Sequence, residues 1–238
     1  MLFKDINMAS VCAGMTTTAR KVLLLDYDGV MLVHPTLREY QARRSAVFVQ
    51  RHTNMPLDRC RFLNDTNYPK YGHTVNMINK MYQRNISLEE YNDFVFAKKH
   101  LMKLSKLLDK QAISHTKEFD AVFKACEQDH IEYRVFTNAP ATWVLHFSQL
   151  AKLTIDEENI IWPFDTDHMK PSEVAYDDVE KQFEEGSTFL FVDDSPLNLK
   201  AVSSRKRWHP FLFTDGLNTP IDVIRLIKES DWKSKLTE

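Results

Sequence analysis

Short apolar runs that stop abruptly on polar residues mark out the chain. Lys21 to Leu25 (KVLLL), Ile131 to Phe136 (IEYRVF) and Thr188 to Val192 (TFLFV) each have the length and continuity of a strand buried on both faces. Weaker runs of the same kind are Ile160 to Trp162 and Trp208 to Phe213. Between them the apolar spacing changes to that of helices. Phe119, Val122, Phe123 and Cys126 form one stripe; others lie in Trp143 to Leu153, Val174 to Phe183, and Ile221 to Ile227 behind Pro220. Strands alternating with helices predict a parallel sheet covered on both faces.

The interval from about His34 to Thr116 breaks the alternation. It holds no convincing strand and several helical stretches. Val75, Ile78 and Tyr82 lie at helical spacing. Ser87-x-x-Glu90 has a capping-box pattern, and the segment behind it predicts a helix running through Tyr91, Phe94 and Leu101 to Leu108. A helical block inserted after the first strand is expected to lie over whatever site the sheet edge builds. The expected division is an N-terminal extension over residues 1–20, a core from 21–33 and 117–238, and the helical insert over 34–116.

Composition narrows the class. Across 238 residues, 43% are hydrophobic and 27% charged, which is enough apolar material for a packed core. The net charge of −2 gives no electrostatic footprint for nucleic acid or an anionic membrane, so neither is expected as a partner. Arg205, Lys206 and Arg207 form a short basic run, expected to be a solvated turn. Cys12, Cys60 and Cys126 lack metal-binding spacing, and Cys126 falls on an apolar stripe as a small buried thiol. A reducing, cytoplasmic setting is the expectation.

The chemistry-bearing residues gather at the ends of the predicted strands. After Leu23-Leu24-Leu25 come Asp26-Tyr27-Asp28-Gly29-Val30. Residues i and i+2 of an extended segment share a face, so the two aspartates are expected to project together from the strand's carboxyl end, where open α/β sheets bind ligands. A bound Mg²⁺ would keep Asp26 ionised, and the charge of its neighbour would raise Asp28 toward proton transfer. Asp193-Asp194 follow a second buried strand and complete a carboxylate set for a metal. Thr137-Asn138 end a third strand, placing a hydroxyl and backbone N–H groups where phosphate oxygens can be held. Lys170, before Pro171, supplies positive charge for a transferring phosphoryl group. His146, among apolar helical residues, is expected to be structural.

Taken together, Asp26-x-Asp28-Gly29-Val30, Thr137-Asn138, Lys170-Pro171 and Asp193-Asp194 resemble the four motifs of the haloacid dehalogenase superfamily, over about residues 21–215. The resemblance implies a three-layer Rossmann-like α/β core with an all-helical C1-type cap after the first strand. It implies Mg²⁺-dependent phosphomonoester hydrolysis with Asp26 as nucleophile and Asp28 as acid and base. Thr137, Asn138 and Lys170 would hold phosphate, and Asp26, the Asp28 carbonyl, and Asp193 or Asp194 the metal. Tyr68-x-x-Tyr71-Gly72-His73-Thr74, Thr137-Asn138-Ala139, Lys170-Pro171-Ser172 and Asp193-Asp194-Ser195-x-x-Asn198 are similar to the pyrimidine 5′-nucleotidase-like branch. That branch implies a nucleoside 5′-monophosphate, with Tyr68, Tyr71 and His73 as substrate contacts. Sugar-phosphate hydrolysis, phosphomutase activity and a non-catalytic binding role are the alternatives. Simple dehalogenation is disfavoured because it needs neither Asp28 nor the Asp193-Asp194 pair.

Overall fold

The computed structural model describes residues 20–108, 113–229 and 232 of the chain; Cys12 and the extension before Arg20 lie outside them. Five strands form one parallel sheet: β1 (Lys21–Leu25), β2 (Glu132–Phe136), β3 (Ile160–Ile161), β4 (Thr188–Asp193) and β5 (Trp208–Leu212), in the order β3-β2-β1-β4-β5. Leu25 pairs in register with Val135 of β2 and Val192 of β4. The chain winds outward from β1 through β2 and β3, then crosses back to β4. The reversal leaves a crevice between the carboxyl ends of β1 and β4.

Alternation along β1 explains the layers. Leu23 and Leu25 point into a cluster with Phe119, Val122 and Cys126 of α6 (Ser114–Gln128), Trp143 and Phe147 of α7 (Ala141–Leu150), and Val223 and Ile227 of α10 (Pro220–Lys228). Val22 and Leu24 point the other way, toward Tyr176 and Val179 of α8 (Glu173–Lys181) and Leu199 and Val202 of α9 (Pro196–Val202). The core is therefore a three-layer α/β sandwich, as the alternation predicts.

Between β1 and β2 stand α1 (Pro35–Thr53), α2 (Leu57–Tyr71), α3 (Thr74–Tyr82), α4 (Leu88–Val95) and α5 (Lys98–Leu107). Phe48, Val49, Val75, Ile78, Tyr91 and Val95 build a separate hydrophobic cluster for α1 to α4. Leu101 and Leu104 of α5 instead join the main core. The single helix expected from Leu88 to Leu108 is thus two helices with a break at Phe96–Ala97. Tyr40 and Arg44 of α1 donate to the carbonyls of Val95 and Phe94, capturing the end of α4 at the point where periodicity alone predicts continuation.

Two of the contacts that hold the block against the core lie on the loop after β3. Gly72 ends α2 at φ +71°, and a Cβ there would lie 2.8 Å from Pro171 Cδ. Met169, on the core's loop after β3, is buried in the cluster of the block. The basic run also departs from expectation. Arg205 pairs with Glu173, Asp177 and Glu180, and Arg207 also pairs with Glu180, so two of its three cations pin the chain against α8. No helix among the described residues is long and apolar enough to cross a membrane.

Candidate active site

The β1–β4 crevice collects carboxylates. Asp26 follows β1 directly, its N–H bonded to the Val192 carbonyl. Asp193 closes β4, and Asp194 follows it. One oxygen from each of the three lies within 4.8 Å of the others. Into this group reaches Lys170, 1% exposed, with Nζ 3.0 Å from Asp26 Oδ1 and 2.7 Å from Asp193 Oδ2. It also donates to the carbonyl of Phe136, the last residue of β2.

The electrostatics are those of a site short of positive charge. Burial pushes Asp26 well up; Lys170 pulls it down, and Asp193 and Asp194 push it up again. Burial opposes the Lys170 ammonium, but Asp193 and Asp26 outweigh it and raise its pKa. Asp194 goes up to about 6, first through burial and then through Asp193. Three carboxylates around one ammonium leave two negative charges unbalanced, which a divalent cation would cancel.

The partners of each carboxylate separate their roles. Asp193 is fully occupied: it accepts from Lys170, from Asn198 and from the Ser195 N–H. Asp194 has no hydrogen-bond donor among the described residues and faces the crevice. Gly29 makes room for it, because a Cβ at Gly29 would fall 2.1 Å from Asp194 Oδ2 and φ there is +89°. Asp28 does not share the cluster. Its Oδ1 accepts from Trp143 Nε1 and its Oδ2 from Gln41 Nε2, each at 3.0 Å. Its carboxyl is raised, with burial as the largest cause, opposed by Trp143, Gln41 and Lys170. The rise expected from a neighbouring charge comes instead from burial, and the charge that acts on Asp28, Lys170, lowers it.

The remaining motif residues divide between site and scaffold. Thr137 is buried at the end of β2 and accepts from the Ala139 N–H. The Asn138 side chain brackets Lys170, donating to its carbonyl and accepting from its N–H, so it positions the lysine loop. Ser105 and His146 are hydrogen-bonded at 2.6 Å, tying α5 to α7.

A chamber of about 680 Å³ opens beside the carboxylates, with Asp28, Gly29 and Asp194 on its floor. His34 at the N-cap of α1, Arg38 and Gln41 within it, and Leu212 to Asp215 at the end of β5 and beyond form its walls. None of these wall residues stands in a motif. Gln41 and Arg38 are legible in the sequence only as polar positions on a helix face.

The Tyr68-to-Thr74 segment proves mostly architectural. Tyr71 packs half-buried against the block's hydrophobic cluster, and Thr74 donates to Asn64. His73 is neither solvent-facing nor on the chamber wall. It is 6% exposed, caps α3 by accepting from the Val75 N–H, and meets Tyr91 edge-on. Tyr68 alone stays 44% exposed while lying in the field of the site. Its hydroxyl is raised by burial, then by Tyr91, Asp26, Asp28 and Asp193.

Burial of a neutral imidazole has a measurable consequence. His73 is lowered from 6.5 to about 3, so between those values an unfolded chain binds a proton that the folded chain refuses. Its contribution to stability falls as pH drops, by up to ~1.4 kcal/mol per pH unit. His73→Asn keeps an acceptor for Val75 and removes the titration. Urea unfolding at pH 7 and 5.5 is expected to show a smaller acid loss in the variant than in the wild type. Equal losses would exclude His73 as the source.

No family model matches the chain, and no curated protein does. Eleven solved chains are similar to it. One is the crystal structure of a HAD family hydrolase from Deinococcus radiodurans R1 with bound phosphate and sodium. It is 14% identical over 89% of each chain, with a TM-score of 0.42.

Proposed function

We propose that this protein is a magnesium-dependent phosphomonoesterase of the haloacid dehalogenase type, working through an aspartyl-phosphate intermediate. The observation that carries the reading is the buried Lys170 ammonium between Asp26 and Asp193, at the one sheet edge where Asp28, Asp194 and Thr137 also end. A structural ion pair alone does not call for two further aspartates and an adjoining chamber.

In the proposed reaction an Asp26 carboxylate oxygen attacks phosphorus while the bond to the ester oxygen breaks. Asp28 gives its proton to the departing oxygen. Asp28, now a carboxylate, takes a proton from water as that water attacks phosphorus, and phosphate leaves with Asp26 regenerated. Lys170 and Thr137 hold the phosphoryl oxygens. Mg²⁺ would be held by Asp26, the Asp28 carbonyl and Asp194, with Asp193 steering Lys170. When bound it supplies the positive charge that keeps Asp26 ionised and screens the phosphate.

Substrate choice is proposed to fall on nucleoside 5′-monophosphates, pyrimidine ones first, supported by Tyr68, an exposed ring whose hydroxyl feels the charges of Asp26, Asp28 and Asp193. The test is phosphate release from UMP, CMP, AMP and a hexose phosphate, with Mg²⁺, with Ca²⁺ and after EDTA. Chelation is expected to silence release and Mg²⁺ to restore it, whereas Ca²⁺ supports little turnover because its looser coordination suits the in-line geometry poorly. Full activity after exhaustive EDTA treatment would remove the metal assignment. A wild type that prefers the hexose phosphate, or a Tyr68→Ala variant with unchanged selectivity, would remove the nucleotide one and leave the phosphatase.

A further inference from the structure

Asp28 lies beyond the end of β1, in a loop whose only ladder contact is an isolated bridge from Asp28 to Leu32. Asp28 itself belongs to no helix or strand. A carboxyl group that must present a proton along one direction needs its plane held, since rotation about two side-chain torsions would sweep the oxygens away from the ester. Here the plane is held from two sides, by Gln41 Nε2 on one oxygen and Trp143 Nε1 on the other.

Both donors answer to the helical block. Gln41 belongs to α1, whose later turns carry Phe48 and Val49 into the block's own cluster. Trp143 belongs to the core, is fully buried, and sits edge-on between Phe147 at 4.5 Å and Phe96 at 5.1 Å. Phe96 is the joint between α4 and α5, the point that Tyr40 and Arg44 secure by capturing the end of α4. The block therefore touches the Asp28 carboxyl directly through Gln41 and, one ring removed, through the packing of Trp143.

We propose that Gln41 and Trp143 are positioning residues that aim the Asp28 carboxyl at the leaving-group oxygen, so that proton transfer depends on the helical block being seated. The proposal rests on the phosphomonoesterase reading but on no particular substrate. Asp28 and Gln41 both line the chamber, which gives a departing group room on the face where this pair stands. Gln41 then has a function that its place as a half-buried polar residue of α1 does not suggest: it links the block to the chemistry without contacting phosphorus.

The experiment compares Gln41→Leu, Gln41→Met and Trp143→Phe with wild type on two Mg²⁺-supported esters. One is an alkyl phosphate, whose departing oxygen needs a proton; the other is an aryl phosphate, whose oxygen scarcely does. Each variant is expected to lose about tenfold or more in kcat/KM on the alkyl ester, part of the 10²–10⁴ typical of general acid–base catalysis. The aryl ester should lose less than about threefold in kcat/KM, which reports the steps up to departure of the ester oxygen and not the water attack common to both. Equal losses in kcat/KM on the two esters would show packing alone and overturn the proposal.

A second measurement is independent of turnover. The chain has four tryptophans, so its indole N–H groups give a small set of NMR cross-peaks, and Trp143→Phe identifies one of them. In Asp28→Ala that peak is expected to shift and exchange faster with solvent, and in Gln41→Leu to shift while remaining protected. A Trp143 peak indifferent to Asp28→Ala would overturn the clamp even where the variants fold poorly. A wild type that releases phosphate from neither ester would sink the hydrolase reading and this proposal with it. Turnover with alkyl and aryl esters affected alike would sink the positioning role only.

Discussion

Asp26→Asn is expected to abolish phosphate release, with kcat lower by on the order of 10⁴-fold or more, while the protein stays folded. The substitution removes the attacking oxygen and preserves shape. It also withdraws one negative charge from a cluster in which burial, Asp193 and Asp194 already press the Asp26 carboxyl toward its neutral form. Lys170 keeps Asp193 at 2.7 Å as its partner. Thermal stability without metal should therefore hold or rise, and Mg²⁺ should stabilise the variant less than the wild type, because a ligand is gone. An Asp26→Asn protein that still releases phosphate near the wild-type rate would end the covalent mechanism. A variant that is inactive only because it is unfolded would be recognised by its melting curve.

Lys170→Met is expected to cost both fold and function. The side chain is 1% exposed and lies against two carboxylates, one of them fully buried. Removing one partner of a buried ionic group leaves the other charges uncompensated, at a cost of about 3–5 kcal/mol. Methionine fills much of the volume, so the loss is electrostatic rather than a cavity. That distinction can be measured. Saturating Mg²⁺ should recover more stability in Lys170→Met than in wild type, because the cation takes over part of the neutralisation. Activity should stay low even then, since the ammonium that meets the phosphoryl oxygens is absent. A loss under about 1 kcal/mol in urea unfolding would mean that the carboxylates find another partner and that Lys170 does not organise the site.

The strands and their ends were legible for a simple reason. A sheet buried on both faces demands unbroken apolar runs, and the polar residues closing those runs at Asp26, Thr137 and Asp193 stand out against them. The partners of those residues were harder to read. Asn198 carries a signal, five positions after Asp193 in the Asp-Asp-Ser-x-x-Asn pattern, and it donates to both Asp193 oxygens. Gln41 and Trp143 carry none, because α1 and α7 meet over Asp28 only through tertiary folding. The Tyr68-to-Thr74 segment shows the converse. Its residue pattern suggests ligand contacts, yet Gly72 and His73 serve the corner between α2 and α3 by ending one helix and starting the next. The break after Val95 was invisible because apolar spacing continues through it, and hydrogen bonds from α1 decide it.

The seat of Met169 sets an energy scale for access to the site. The side chain is 2% exposed within the hydrophobic cluster of α1 to α4, although its backbone belongs to the core loop that carries Lys170. Any rotation that lifts the helices away must draw this thioether into water, at roughly 1.5–3 kcal/mol for a fully buried side chain of its size. Through that contact alone, opened molecules make up roughly 1 to 8 per cent of the population, at tenfold per 1.4 kcal/mol. Met169 stands immediately before Lys170, the cation that balances Asp26 and Asp193. The hydrophobic seat of the helices and the charge balance of the site thus depend on two consecutive residues of one loop.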